Sequence, residues 1–345
     1  MKYPLIILGA GAAFDYVEDR FNSLSVAGGI DFRLKPPLTK DLFHERFKQF
    51  IATNNIVSGI ASSMTDEAIG DFEKFLTKIQ NEYAPRNKER YQQLIALRLY
   101  LRDLFREISN NYFSPVNNYR GLIDRLGDYC GGNAIVVNFN YDLLFEKNLS
   151  FYNNSNGFQR VDDYISDAHL KVIKIHGAYN WIQIVDESDS HLAPKNDEYL
   201  YRHAERIHND LKITELDEEI YIDGHYRKIL KIGTTTTHRY SVPSLAIPIT
   251  DKKNFVCPER HVKLLTDSFE KIDGILIIGW KAGDDYLVDL INKNFQKSEI
   301  PFGIVSPNAN LTAEKFPGIK IELYKKGFTD FMRASTNGVE SFFSL

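Results

Sequence analysis

Cysteine is nearly missing from this chain of 345 residues: Cys130 and Cys257 are the only two. A zinc module of four thiolates is thereby excluded, and His/Cys spacing of the zinc-finger kind is absent. The expected state of the pair is two free thiols in a reducing cytoplasm. No apolar run approaches the roughly 20 residues needed to cross a bilayer. The N-terminal segment runs as a strand straight into Gly9, so no signal peptide is expected. Positive charge is not in excess either, the formal net charge being -4. With no basic tail, direct binding to nucleic acid is not expected. A Gly-x-x-x-x-Gly-Lys-Ser/Thr pattern is absent, which excludes a phosphate-cradling NTPase, and there is no internal repeat. Aromatic residues, by contrast, are plentiful: 23 Phe and 19 Tyr fit a packed core.

Short continuous apolar runs recur along the chain at Tyr3–Leu8, Ala134–Val137, Val172–Ile175, Leu245–Ile249, Ile275–Ile278 and Phe302–Val305. Each predicts a strand buried on both faces, as in a parallel sheet. Helical stretches at 141–149, 259–272 and 286–295 lie between several of them. A doubly wound, mainly parallel sheet follows, whose ligands sit outside the carboxyl ends of the strands. Residues 40–127 read as a helical insertion with three apolar stripes. These are Leu42, Phe43, Phe47, Phe50 and Ile51; Phe72, Phe75, Leu76, Ile79 and Tyr83; and Leu94, Leu97, Leu101, Leu104, Phe105 and Ile108. Residues 1–39 and 128–345, which carry the strand pattern, are expected to form the other part. Residues 186–240 are polar and irregular, with a small hairpin expected between 219–222 and 228–230.

Four short motifs stand in order at predicted strand ends. Gly9-Ala10-Gly11-Ala12-Ala13 closes the first strand, where glycines permit a tight turn and let backbone N–H groups approach a pyrophosphate. Phe14 stands where the dehydrogenase fingerprint has its third glycine, and a Gly-x-Gly alone also reads as a structural turn. Asn138-Phe139-Asn140-Tyr141-Asp142 follows the second run. The carboxamide of Asn140 is suited to hold a water or ribose hydroxyl against an anomeric carbon, while Asp142 reads either as a ligand contact or as a helix N-cap. His176 precedes Gly177 at the end of 172–175. An imidazole there suits acid/base work, and the glycine would let a ligand approach the backbone. Gly279-Trp280 with Asp284-Asp285 ends the most apolar run; the aspartates either accept ribose hydroxyls or cap the next helix. Ser306-Pro307-Asn308 is a polar loop suited to an adenosine.

These residues resemble the sirtuin superfamily. Gly9-Ala10-Gly11 is similar to its Gly-Ala-Gly-x-Ser turn, Asn140-Tyr141-Asp142 to its Thr-x-Asn-x-Asp segment, and His176-Gly177 to its His-Gly pair. Gly279-Trp280 with Asp284 is similar to the nucleotide strand of bacterial sirtuin-like proteins. Ala13 replaces the usual serine, and Asn138-Phe139 replace a hydroxyl residue and glutamine. Asp31-Phe32-Arg33 echoes a deacylase Asp-Phe-Arg but lies further from Gly9. Pro36 to Phe43 is closer to the defence-associated branch.

The resemblance implies a Rossmann-like, sirtuin-type fold without a zinc module. It implies NAD as substrate, with no metal, and Asn140 and His176 as catalytic residues. Gly9, Ala10, Gly11, Ala13, Phe14, Asp142, Gly177, Gly279, Trp280, Asp284 and Asn308 would then hold the dinucleotide. The implied activity is that of an NAD+ glycohydrolase in bacterial anti-phage defence. Control would come from homo-oligomerisation or a separately encoded partner, such as a HerA-like ATPase or an Argonaute-type protein. An NAD-dependent protein deacylase and a non-catalytic NAD or ADP-ribose sensor are the alternatives.

Overall fold

The computed structural model describes residues 2–17, 30–64, 72–78, 88–153, 155–166, 170–186, 196–207, 220–223, 239–248, 256–295, 299–334 and 338–344. In chain order the strands are β1 (Leu5–Leu8), β2 (Ala134–Asn138), β3 (Leu170–Ile173), β4 (Gly177–Asp186), β5 (Ile220–Ile222), β6 (Arg239–Leu245), β7 (Ile275–Ile278), β8 (Phe302–Val305) and β9 (Glu322–Tyr324). Eight of the helices are α1 (Ala10–Phe14), α2 (Asn55–Ser63), α3 (Lys88–Asn111), α4 (Asn118–Cys130), α5 (Leu144–Tyr152), α6 (Glu259–Ser268), α7 (Asp285–Phe295) and α8 (Ala309–Ala313).

The apolar runs do what their composition dictates. β1, β2, β7 and β8 are buried along their whole lengths. Each side chain of Leu5-Ile6-Ile7-Leu8 taken from water contributes roughly 1.5–3 kcal/mol, so transfer free energy alone pins the central strand between two covering layers. Six parallel strands assemble in the order β3-β2-β1-β7-β8-β9. Counting only this sheet, the order is 3-2-1-4-5-6, that of a Rossmann-type doubly wound fold. The winding direction reverses between β1 and β7, and right-handed crossovers then put the connecting helices on opposite faces.

Register is what makes the sheet useful. Leu8 pairs with Asn138 on one side and Ile278 on the other, and Ile278 pairs with Val305. The residues that follow, Gly9, Phe139, Gly279 and Ser306, therefore leave the sheet at one level. Val137 pairs with Ile173, so Lys174 comes level with Asn138 on the far side.

Caps fix where helices start. Asn117 accepts from Arg120 N at 2.9 Å to open α4, and Gly131, at φ 61°, ends it and turns the chain into β2. The stripe Leu94, Leu97, Leu101, Leu104, Phe105 and Ile108 is buried on α3, which lies against β4 and β6.

Several sequence expectations are corrected. Residues 40–52 do not form one long helix: short 3-10 turns at Thr39–Asp41 and Glu45–Phe47 precede a helical turn at Lys48–Ala52, although Leu42 and Phe47 are buried as expected. Leu245 to Pro248 does not join the parallel sheet. Leu245 ends β6, which runs antiparallel to β4. An apolar run covered on both faces, here partly by α3, has the same sequence pattern in either orientation. Ile220–Ile222 pairs with Trp181–Gln183 of β4; the other half of the expected hairpin, 228–230, lies outside the described residues, as do Ile79 and Tyr83. No helix among the described residues is long and apolar enough to cross a membrane.

Candidate functional site

A cavity of about 450 Å³ opens over the carboxyl ends of β1, β2, β7 and β8, at the point where the winding reverses. That volume is within the range of small-molecule sites. Gly9, Ala10, Gly11, Ala13 and Phe14 line it from the first turn, Asn140 and Asp142 from the end of β2, and His176 from beyond β3. Gly279, Trp280 and Asp284 line it after β7, and Asn308, exposed at the mouth, after β8. The residues singled out from sequence thus converge, with the exception of Gly177.

Gly177 serves the protein rather than a ligand. Its φ is +72°, and a Cβ there would stand 2.1 Å from Ser244 O. The space left by the missing side chain is filled by the backbone of β6. The same logic revises the glycines of the first turn. A Cβ on Gly9 would meet Gly279 O and Trp280 Cα at 2.5 Å, and one on Gly279, at φ +63°, would meet Ala12 N at 2.3 Å. Gly9 N donates to Ile278 O, Gly11 N to Gly279 O and Ala12 N to Gly9 O. Three amides expected to face a pyrophosphate are therefore bonded internally. These glycines let two strand ends interlock at the switch point and so form the cavity floor.

Asn140 is held from both ends. Its backbone N donates to Asn138 Oδ1 at 3.0 Å, and its Nδ2 donates to Gly9 O at 3.1 Å and Tyr119 Oη at 3.3 Å. Oδ1 is the polar atom left for a ligand. Behind it lies a network that sequence reasoning missed. Lys174, fully buried, donates to Glu146 Oε1 at 2.9 Å and to Asp142 O at 2.7 Å. Asn138 Nδ2 donates to the same Glu146 oxygen at 3.2 Å. A buried ammonium is tolerable only when paired and hydrogen-bonded, and both conditions are met. The available signal was a charged residue inside each of two apolar segments, Ile173-Lys174-Ile175 and Leu144-Phe145-Glu146.

Asp142 lines the cavity and precedes Leu143, the N-cap residue of α5, so it is not itself the cap. Its Oδ1 accepts from Leu144 N at 3.0 Å, while Oδ2 is buried without a hydrogen-bond partner among the described residues. Burial pushes its carboxyl up to about 6, opposed by the Lys174 ammonium. Asp284 does cap: its Oδ1 accepts from Leu287 N at 3.0 Å.

His176 sits where the chain passes from the parallel sheet into β4. Ala246 N donates to His176 O at 2.9 Å, fixing the backbone from the exit of β6. The ring stands edge-on to Phe139, with centroids 4.9 Å apart, and Phe139 stacks on Trp280 at 4.9 Å and 16°. Tyr141 packs against Phe105 of α3 and donates from its hydroxyl to Ala246 O at 2.6 Å. Phe105, Pro36, Pro37, Leu38 and Leu42 supply an apolar wall of the cavity. The residues before β2 therefore reach the site directly. Asp31 and Arg33 do not line it; they pair with each other at the surface. Among the described residues no group of three or more His, Cys, Asp or Glu side chains is placed to hold a metal ion, and both cysteines are free and buried.

No family model matches the chain, and no curated protein does. Among solved structures it is similar to a Sir2 homologue mutant in complex with ADP-ribose, with 13% identity over 100% of this chain and 94% of that one and a TM-score of 0.45. It is also similar to a Sir2 homologue mutant with 2'-O-acetyl ADP-ribose (13%, 100% and 94%, TM-score 0.44) and to a Sir2 homologue–NAD complex (10%, 99% and 91%, TM-score 0.39). At such identities and scores the chemistry has to come from this chain's own side chains.

Proposed function

We propose that the chain is an NAD+ glycohydrolase, NAD being its substrate. The observation that supports this best is the convergence of Asn140 and His176, distant in sequence, in one cavity at the switch point of a Rossmann-type sheet. The dinucleotide would lie across the strand ends, its adenosine toward Ser306 and Asn308 and its nicotinamide ribose toward Asn140. Nicotinamide is a good leaving group because its ring is cationic. The bond from C1′ to the ring nitrogen breaks with its electron pair passing to the ring. A water oxygen then bonds to C1′ and releases a proton. Asn140 Oδ1 orients that water or the ribose hydroxyl beside it, and His176 takes up the proton and returns it to solvent. Asp142 Oδ2 supplies an acceptor facing the cationic half of the substrate. The products are nicotinamide and ADP-ribose.

The division into a nucleotide-binding part (1–39 and 128–345) and a helical insertion (40–127) belongs to this proposal. So does a role in the bacterial cytoplasm as an anti-phage effector that depletes NAD, controlled by self-association or a partner protein.

Asn140→Ala should lower NAD turnover on the order of hundredfold or more, about 3 kcal/mol of barrier. Nicotinamide release from NAD is the readout, with and without the neighbouring gene products. Full activity in that variant would sink the proposal. Release that strictly requires an acylated peptide would transfer the same residues to deacylation, and tight NAD binding without turnover would make the chain a sensor.

A further inference from the structure

We propose that Tyr119 and Asn138 are positioning residues for Asn140, together holding its carboxamide in one orientation with Oδ1 toward the cavity. This deepens the reading above and rests on the role given there to Asn140. Neither residue lines the cavity itself. Tyr119 is fully buried on α4, in the helical stretch before β2, and Asn138 is the buried last residue of β2.

The orientation follows from which partners can only donate and which can only accept. Gly9 O is an acceptor, and it takes Asn140 Nδ2 at 3.1 Å and Ala12 N at 2.9 Å, which uses both lone pairs. A flipped carboxamide would set Oδ1 against that oxygen and leave two acceptors facing each other. Tyr119 Oη accepts from the same Nδ2 at 3.3 Å. Burial raises the Tyr119 phenol well above its ordinary value, with Asp142 and Glu146 adding to the effect, so the hydroxyl stays neutral. Its ring is held in place by Tyr16, Phe145 and Phe328, whose centroids lie 5.4, 5.5 and 6.0 Å away.

Asn138 fixes the backbone of the same residue. Asn140 N, which can only donate, is bonded to Asn138 Oδ1 at 3.0 Å in a side-chain turn spanning two residues. Asn138 Nδ2 donates to Glu146 Oε1 at 3.2 Å, and a carboxylate only accepts, so this amide too has one orientation. Lys174 holds that carboxylate oxygen from the other side at 2.9 Å. The buried ion pair thus ends on the loop that carries Asn140.

A fixed acceptor has a chemical consequence. A water or ribose hydroxyl that donates its hydrogen to Oδ1 keeps a lone pair free for C1′. The amide turned the other way would offer N–H to that lone pair and oppose the attack.

The test uses the full chain. Tyr119→Phe removes one hydroxyl and keeps the ring, and should leave the thermal midpoint within a few degrees. The side-chain 15N–1H signals of Asn140, assigned by their loss in Asn140→Ala, should shift in Tyr119→Phe and exchange faster with solvent. Its kcat for NAD should fall about 5- to 30-fold with less than a threefold change in KM, since no ligand contact is lost. Asn138→Ala should lower kcat about 30- to 100-fold. Asn138→Thr should recover most of that loss, because its hydroxyl can accept the same turn bond while its shorter side chain gives up the contact to Glu146. Should Asn138→Ala fail to fold, Asn138→Thr is compared with the wild type, and a kcat within about fivefold is expected. Unchanged Asn140 signals or an unchanged kcat in Tyr119→Phe overturns the role of Tyr119. An Asn138→Thr variant slowed 30-fold or more, on the order of the alanine variant, overturns the role of the turn bond. A rise in KM at constant kcat overturns both, since it makes these residues ligand contacts. A wild type that leaves NAD intact, while its Asn140 signals still move in Tyr119→Phe, overturns the glycohydrolase assignment alone.

Discussion

The parallel and antiparallel sheets meet at His176, and they are held together by different means. β1, β7 and β8 are apolar throughout, β2 is apolar up to its last residue Asn138, and all four are covered on both faces, so burial of ordinary side chains carries most of this sheet. β4 and β6 close on each other where Gly177 has no side chain, and their pairing shifts register between Gly177 and Ile182. The carboxyl ends of the first sheet share that feature, since a Cβ on Gly9 would meet Gly279 O at 2.5 Å, but its interior is packed by side chains. The second depends on one backbone contact that admits no added atom. A ledge of cavity-lining residues comes from the first, and the backbone of His176 is fixed from the exit of the second.

The largest effect should come from breaking that seam. Gly177→Ala forces a Cβ to within 2.1 Å of Ser244 O at a left-handed φ, and should destabilise by on the order of 5 kcal/mol or more, read by chemical denaturation. A small change would mean that the antiparallel sheet is the more adaptable of the two. Next, Lys174→Met strands Glu146 in the interior and should cost about 3–5 kcal/mol. Adding Glu146→Gln should restore most of that while keeping an acceptor for Asn138. If the double variant is no more stable than the single one, the ion pair is not what the parallel sheet needs there.

Asp142→Asn separates stability from function. The folded-state carboxyl is pushed up to about 6, above its unfolded value. Its contribution to stability is therefore fully present below about pH 4 and is lost as pH rises through about 6, a difference of roughly 2–3 kcal/mol. The variant should match the wild type near pH 4, exceed it by that amount at pH 7 in urea unfolding, and turn over NAD more slowly. A variant no more stable at pH 7 would show that Lys174 already neutralises the penalty. The smallest effect is a control outside both sheets. Gly59 lies inside α2, with nothing within 4 Å of an added Cβ, so Gly59→Ala should stabilise by roughly 0.5–1 kcal/mol.

What was legible in the sequence is what depends on local pattern. Five strands of the parallel sheet, the buried stripe of α3 and the order of the motifs at strand ends follow from apolar periodicity and from Gly, Asn and Asp at junctions; β9, a short edge strand with no buried residue, gave no such signal. By itself, then, the sequence determined the ledge and most of the residues on it. It could not determine that Leu245 turns antiparallel, because a run covered on both faces looks alike in either direction. Nor could it show that Gly9, Gly11 and Gly279 interlock, that Lys174 lies level with Asn138, or that Asp284 lies 3.9 Å from His176. Those facts depend on register between segments far apart in the chain. Periodicity records how one segment meets its surroundings on average. Only the tertiary structure decides which atom of a distant segment occupies the space that a glycine leaves or compensates the charge that a lysine carries inward.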